Sequence, residues 1–280
     1  MPSINHNVAL LVHSCDRYEF LYPGFEAFFA RHWNFDISCN YYFATEEKNA
    51  EVKGFTNIKS GKGEWSTRLK TLLQNIPEEF ILYFQEDMWL TKDVNEVFFK
   101  ELFLQAKQHN WKQVKLHSSE VYKTLETSLF IEGFNIAKID NAASDFLMSH
   151  QVTLWNKQFL IAQLSAGEHP WRNERKGTKR LKKLNADIYQ TDYFAENGKP
   201  AINTNTNPVG RSEYKTISVN GTLSPDVIPF IKILQDGTVA EKNYGAQLLH
   251  HLENGLTHDG KQKPRKEDIF KKMKNWLLRK

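Results

Sequence analysis

Between Phe80 and Leu90 the chain reads FILYFQEDMWL. An apolar run without polar alternation is the pattern of a strand buried on both faces. It ends on two adjacent carboxylates, Glu86 and Asp87, and then returns to bulky apolar residues. A strand covered on both sides needs a layer above it and a layer below, so this stretch points to a layered α/β fold.

The neighbouring segments follow the same logic. Val8 to Val12 is a second buried-strand run, followed by His13-Ser-Cys-Asp-Arg-Tyr18. Tyr22 to Trp33 has helical spacing, with Phe25, Phe28, Phe29 and His32 on one side. Phe35 to Ala44 alternates as a strand does, and Asn57 to Ser60 reads as a short strand before Gly61-Lys-Gly63. Trp65 to Ile76 is amphipathic through Leu69, Leu72, Leu73 and Ile76, and Pro77 stops it. Asp93 to Asn110 predicts a helix with Val97, Phe98, Leu102 and Leu104 near its apolar side, and Gln113 to His117 a strand. The alternation predicts a mostly parallel central sheet flanked by helices. After residue 120 regularity weakens. Ser128 to Ile136 and Phe146 to Leu154 read as strands or strand–turn segments, Asn156 to Leu164 as a helix, and Asn197 to Pro225 as loop.

Composition narrows the class. The 280 residues are 40% hydrophobic and 25% charged, ordinary for a globular protein with ample core. An aromatic share of 13% fits a rich core or a ligand-stacking surface. Cys15 and Cys39 both lie in strand-like surroundings, so they read as buried free thiols. No signal peptide pattern and no apolar stretch long enough for a bilayer is seen, and the expected location is the cytoplasm.

The net charge of +4 is uneven. Arg172 to Lys183 carries seven basic residues against one acid, and the segment from Lys261 carries nine against two. The remainder holds 21 basic and 30 acidic residues, so two local basic patches sit on an acidic body. A nucleic-acid binder more often spreads positive charge over one face, and no nucleic-acid partner is expected. In the tail, Ile269, Met273, Trp276 and Leu277 form one helical stripe. The basic helix of residues 261–280 either lies on the inner face of a membrane or packs on the protein's own core.

In open α/β sheets, ligands bind beyond the carboxyl ends of the strands, where strand order reverses. Asp16, Glu86 and Asp87 all follow strands, which suits Mg²⁺ or Mn²⁺ with a phosphorylated ligand. The alternative is that the acids merely cap a strand and start a turn. The histidines show no HExxH spacing. His150 alone is kept as a candidate late metal ligand.

The layout resembles that of GT-A glycosyltransferases, notably small bacterial enzymes that build capsule or lipopolysaccharide glycans. The matching pieces are Ser14-Cys-Asp-Arg-Tyr18, the helix from Trp65 to Leu73, Ile81 to Leu90 in place of the strand bearing the Asp-x-Asp motif, Ser149 to Trp155, and Gly167 to Glu174. The chain departs from the family where it has Gln85-Glu86-Asp87: Asp87 alone matches the motif's final Asp. The resemblance implies a nucleotide-sugar donor, a glycan or lipid-linked acceptor, and Mn²⁺ or Mg²⁺ on Asp87 and Glu86. It implies one catalytic domain over residues 1–260, with a donor half to residue 120 and an irregular acceptor half beyond. Donor contacts fall on Ser14, Asp16, Arg17, Tyr18, Trp65, Arg68, Glu86 and Asp87. Glu174 is the first candidate for general base and Glu168 the second, and both could equally be surface acids paired with Arg172 and Arg175. Trp171, Arg172, Arg175 and Lys176 are expected at phosphate or acceptor.

Other readings use the same residues. A nucleotidyltransferase acting on a sugar phosphate shares the metal and nucleotide, but its usual glycine-rich loop is absent after the first strand. A nuclease would need an acid two residues before Lys115, where Gln113 stands. A non-catalytic membrane-associated glycan-binding module explains the basic tail but leaves the strand-end acids without a task.

Overall fold

The computed structural model describes residues 7–202, 207 and 209–262. The chain divides into two compact units with the boundary between Ile217 and Ser218. The first begins with β1 (Val8–His13), a 3₁₀ turn over Asp16–Leu21, α1 (Tyr22–His32), β2 (Asn40–Thr45), β3 (Thr56–Lys59) and α2 (Trp65–Asn75). It continues with β4 (Phe80–Phe84), β5 (Met88–Leu90), α3 (Glu96–Gln108) and β6 (Gln113–His117). The short strands β7 (Thr124–Leu125), β8 (Phe130–Ile131), β9 (Phe134–Asn135) and β10 (Ala137–Ile139) precede β11 (Thr153–Asn156). Then come α4 (Lys157–Gln163), α5 (Pro170–Leu184), β12 (Tyr189–Glu196) and β13 (Ser212–Thr216).

The main sheet runs β3-β2-β1-β4-β11-β6-β12-β10-β7, with β13 beside β12 and β5 beside β13. β3, β2, β1 and β4 are parallel, as are β6, β12 and β13. β11 enters antiparallel between β4 and β6, and β10, β7 and β5 also pair antiparallel. The sheet is therefore mixed, where the sequence pattern predicted a mostly parallel one. β11 arrives from an irregular approach rather than a crossover helix, so nothing forces it parallel. β6 and β12 pair across residue 120, so the two expected halves share one sheet.

The early elements form where the apolar pattern places them. Every residue of β1 and β4 is buried, because helices cover both faces. On one face α2, α4 and α5 deliver Leu69, Leu73, Leu160 and Leu181 onto Leu11, Ile81 and Tyr83. On the other, α1 and α3 pack aromatics: Phe29 stands edge-on to Phe84, Trp33 leans on Phe99, and Phe28 stacks on Trp89 at 5.4 Å. Much of the high aromatic share is thus core. Gly24 in α1 makes room for Trp89, since a Cβ there would lie 2.1 Å from the indole ring. The Trp89 indole N–H donates to the Glu86 carbonyl at 3.0 Å and fixes the chain just beyond the acids. That is why bulky apolar residues resume after Asp87.

Several boundaries differ from the sequence pattern. Phe35 lies in a turn, because Asn34 caps it by accepting the Asp36 N–H at 2.9 Å. In α3 the buried face is Phe98, Phe99, Leu102 and Ala106, while Val97 and Leu104 are exposed. Cys39 is a buried free thiol as expected, but Cys15 is half-buried. The segment read as loop contains β13 and, in the second unit, the hairpin of β14 (Ser218–Val219) and β15 (Thr222–Leu223). Asn220 and Gly221 turn that hairpin with φ of 54° and 77°, the backbone a two-residue hairpin requires. The unit closes with α6 (Ile228–Gln235) and α7 (Val239–Glu253), the latter started by a Thr238–Glu241 capping box. No helix among the described residues is long and apolar enough to cross a membrane. The tail read as a basic amphipathic helix lies, from residue 263, outside the described residues.

Candidate active site

In strand order 3-2-1-4, the chain leaves β1 for β2 and β3 on one side and returns through α2 to β4 on the other. The reversal falls between β1 and β4, and in open α/β sheets ligands bind outside the carboxyl ends of the strands at such a point. His13, Ser14, Glu86 and Asp87 follow directly from those ends.

Most of the sequence-predicted donor residues gather there as an interlocked framework. Asp16 accepts the backbone N–H groups of Glu46, Glu47 and Lys48 at 2.9, 3.0 and 3.1 Å. Burial pushes its carboxyl up, but the three N–H bonds outweigh that and hold it below the ordinary carboxylate range. Arg68 is buried, donating to the Ser14 carbonyl at 2.6 Å and the Ser60 hydroxyl at 3.0 Å, with Glu46 3.4 Å away. The Ser14 hydroxyl donates to Tyr22 at 2.9 Å. Ser14, Asp16 and Arg68 thus spend their polar groups on shaping the rim. Arg17 is exposed, Tyr18 half-buried, and Trp65 half-buried with its ring edge-to-face on His150 at 4.4 Å.

The strand-end acids are different. Asp87 is partly exposed as a residue, yet its Oδ1 has no exposed surface and no hydrogen-bond partner. Burial raises its pKa to about 7. Burial first, and the Asp87 charge second, push Glu86 well above the usual range. A buried carboxylate oxygen without a partner lacks the compensation that a donor or a cation gives. Glu86 and Asp87 supply the hard oxygens that Mg²⁺ or Mn²⁺ prefers, so these residues fit such an ion. Among the described residues no third His, Cys, Asp or Glu completes a ligand set with them. His150 is turned to other partners: its Nε2 meets Asn173 Oδ1 at 3.1 Å, and burial lowers its pKa to about 3.

The sheet brings further polar groups to the same face. Tyr83, Thr153 and Lys115 are cross-strand partners, with His13 and His117 two residues further along their strands. His13 Nδ1 bonds the Tyr83 hydroxyl at 3.2 Å, leaving a buried Nε2 without a partner. Lys115 is fully buried, its ammonium 4.7 Å from the Tyr122 ring centre and without a hydrogen-bond acceptor. Desolvation lowers its pKa to about 7. Burial first, then the charges of Glu86, Asp87 and Glu174, push the Tyr83 hydroxyl far above its ordinary range.

Glu174 reaches this place from α5. Pro170 opens that helix and His169 caps it, accepting the Arg172 N–H at 3.4 Å. Thr178 Oγ accepts the N–H groups of Leu147 and Met148, and Glu174 accepts that of His150 at 3.1 Å. α5 thereby pins the segment 147–150. A cavity of about 200 Å³ is lined by His117, Tyr122, Ser149, Gln151, Glu174 and Glu196. Burial raises the Glu174 pKa, as befits a proton acceptor. Glu168 differs: both its oxygens are held, by Arg180 at 3.0 and 2.9 Å and by Asn173 at 2.8 Å. Burial pushes its pKa up, but the hydrogen bonds from Arg180 and Asn173 and the charges of Arg180 and Lys176 together outweigh it, and the net shift is downward. Of the two candidate bases, Glu174 faces a cavity and Glu168 anchors a helix. Neither has the surface pairing with Arg172 or Arg175 that the sequence left open.

Trp171 is exposed at 59%, and Arg172 donates to the Gly167 carbonyl at 3.1 Å. Arg172, Arg175 and Lys176 line a separate groove of about 590 Å³ that includes neither Glu86 nor Asp87. Sequence reasoning met Lys115 only as part of a nuclease motif, set His117 aside with the scattered histidines, and did not single out Gln151 or Glu196. The available signal was the alternation Gln113-Val-Lys-Leu-His117, which puts three polar residues on one face of a strand that is buried throughout.

The fold and site together define a mixed-sheet α/β protein with buried carboxylate groups just past a strand-order reversal. No family model and no curated protein sequence matches the chain. Among solved structures, S. aureus TarS is similar with a TM-score of 0.43 and 11% identity, over 89% of this chain and 43% of that one. This chain thus spans less than half the length of TarS. A 1–349 portion of TarS in complex with UDP-GlcNAc gives 0.43 and 12%, over 89% and 72%. UDP-glucose pyrophosphorylase complexed with UDP-glucose gives 0.40 and 10%, over 66% and 90%. These values describe a loose likeness in the arrangement of sheet and helices.

Proposed function

We propose that the protein is a glycosyltransferase that moves a sugar from a nucleotide-sugar donor to a hydroxyl of a glycan acceptor. The observation that carries this reading is the buried, unpartnered Asp87 Oδ1 just beyond the end of β4, at the strand-order reversal. In the reaction the acceptor oxygen attacks the anomeric carbon, the bond from that carbon to the diphosphate breaks, and the electron pair leaves on phosphate. Glu174 takes the acceptor's proton, which makes the step a direct displacement with inversion. Asp87 and Glu86 would hold a Mn²⁺ or Mg²⁺ ion, which supplies charge neutralisation for the departing diphosphate. The Asp16–Arg68 framework holds the rim on which the nucleotide rests, and Trp65 offers a half-buried ring beside it.

A thermal-shift panel of nucleotides and nucleotide sugars, with and without Mn²⁺, tests this reading. A cognate donor at about 100 times its Kd stabilises the fold by about 2.7 kcal/mol. Because Asp87 must give up a proton to bind a cation, the Mn²⁺-dependent part of the shift should grow as pH rises through about 7. A panel without any shift at any pH contradicts the proposal.

A further inference from the structure

The groove along α5 lies outside the chemistry described so far. Arg172, Arg175, Lys176, Lys179 and Lys182 line it at i, i+3, i+4, i+7 and i+10, a single helical face about 15 Å long. All five are exposed, and one acid, Asp145, lies among them. The helix's opposite side, with Asn173, Gly177 and Leu181, is buried against the protein, so the cations are committed to the groove face. The ion pairs α5 makes are those of Lys176 and Arg180 with Glu168, the first at 3.9 Å. Among the described residues Arg175, Lys179 and Lys182 carry none.

The groove and the cavity that Glu174 lines are neighbours that share one lining residue. Phe146, 38% exposed, borders both. The two ends differ in chemistry. The groove is cationic with one apolar wall, whereas the cavity offers the carboxylates Glu174 and Glu196 and the neutral groups of Ser149 and Gln151. An anionic terminus would be repelled by those carboxylates, and a hydroxyl-bearing one would be hydrogen-bonded. A ligand that fits both has an anionic shaft and a neutral, hydroxyl-rich end.

We propose that the α5 groove binds an anionic glycan, with phosphate or carboxylate groups along its length, and feeds its neutral terminal sugar to the cavity at Glu174. The acceptor role rests on the transferase reading above; the binding of an anionic glycan does not. Phe146 supplies a ring against which a sugar face can pack at the junction.

Binding of oligogalacturonate and of a heparin oligosaccharide by the full chain tests the proposal, with a dextran oligomer as neutral control and a single-stranded oligonucleotide as non-glycan polyanion. Both anionic glycans should bind, and dextran should not. The combined variant Arg175→Gln, Lys179→Gln, Lys182→Gln should weaken binding about tenfold or more, as for three exposed ion pairs lost, and reduce its salt dependence. Lys59→Gln with Lys62→Gln, on a different element, should bind as the wild type does. All these side chains are exposed, so unchanged melting temperatures will confirm that the variants fold. Undiminished binding in the triple variant, equal binding of dextran, or equally tight binding of the oligonucleotide overturns the proposal. Nucleotide-sugar binding is measured alongside. Its absence with groove binding intact removes the transferase reading alone, and the reverse result removes the groove alone.

Discussion

Lys115→Met changes the group whose burial is least compensated in the site. The ammonium sits in a strand covered on both faces, with an aromatic ring as neighbour and no acceptor. Its pKa falls from the ordinary 10.5 to about 7, a difference that corresponds to about 5 kcal/mol of penalty when it is charged. Below pH 7 both the folded and unfolded chains carry the proton, and the full penalty stands. Between about 7 and 10.5 the unfolded chain keeps a proton the folded one has released, so stability rises by about 1.4 kcal/mol per pH unit. Above that window both forms are neutral and the penalty is gone. Methionine has a similar length and no charge, and replacing buried charges by apolar groups gains about 1–4 kcal/mol. Urea unfolding should therefore show Lys115→Met more stable than wild type at pH 6, with the gap closing by about 2–3 kcal/mol between pH 7 and 9. Titrations common to both proteins cancel in that difference. A constant gap, or a variant less stable at pH 6, refutes the reasoning. The variant should also lose activity, because a residue kept at this energetic cost has a task in the site.

Three further outcomes follow from the same geometry. Glu174→Gln should lower transfer about 10²- to 10⁴-fold with little loss of donor affinity, and the rise of the wild-type rate with pH, set by the raised Glu174 pKa, should vanish from its residual activity; an unchanged pH–rate profile removes Glu174 as base. Glu168→Gln should act on stability instead, costing about 1.5–3 kcal/mol by removing the carboxylate that Arg180 meets, although Arg180 keeps its bond to the Gln163 carbonyl, while the pH profile stays in place; a displaced profile would make Glu168 the base. Gly24→Ala should drive a methyl into the Trp89 indole and cost about 1–3 kcal/mol, and it should weaken donor binding through the Glu86 carbonyl that Trp89 holds; wild-type melting and donor Kd would show that this anchor is unimportant.

The first third of the chain was the most legible, for a physical reason. β1 and β4 are buried on both faces and so are written as unbroken apolar runs, and α2 buries the stripe Leu69, Leu72, Leu73 that its spacing marks. β12 escaped notice because it buries Gln190, Thr191 and Asp192, polar residues that break the apolar pattern and whose places are set by tertiary contacts, such as the bond from Gln190 Nε2 to the His117 carbonyl at 3.1 Å. The direction of β11 is a property of the approach through residues 140–152, which has no periodicity to read. At the site, Glu86 and Asp87 stood out because they interrupt an apolar run. Glu174 stood out through the resemblance carried by the segment Gly167 to Glu174. The distinction between Glu174 and Glu168 was not legible, since it depends on Arg180 lying beside one and a cavity beside the other. The clamp that Asp16 places on residues 46–48 was equally hidden, being a contact across 30 residues of sequence.

Release of nucleoside diphosphate is the most direct measure of the central claim. Purified wild-type protein and Asp87→Asn should be incubated with a panel of nucleotide sugars, in the presence of Mn²⁺ and of anionic glycan oligomers. The wild type should release nucleoside diphosphate from at least one donor, and the Asn variant, folded and melting normally, should do so about 100-fold more slowly or worse. Equal release by the two proteins, or none by the wild type from any donor, would contradict the account.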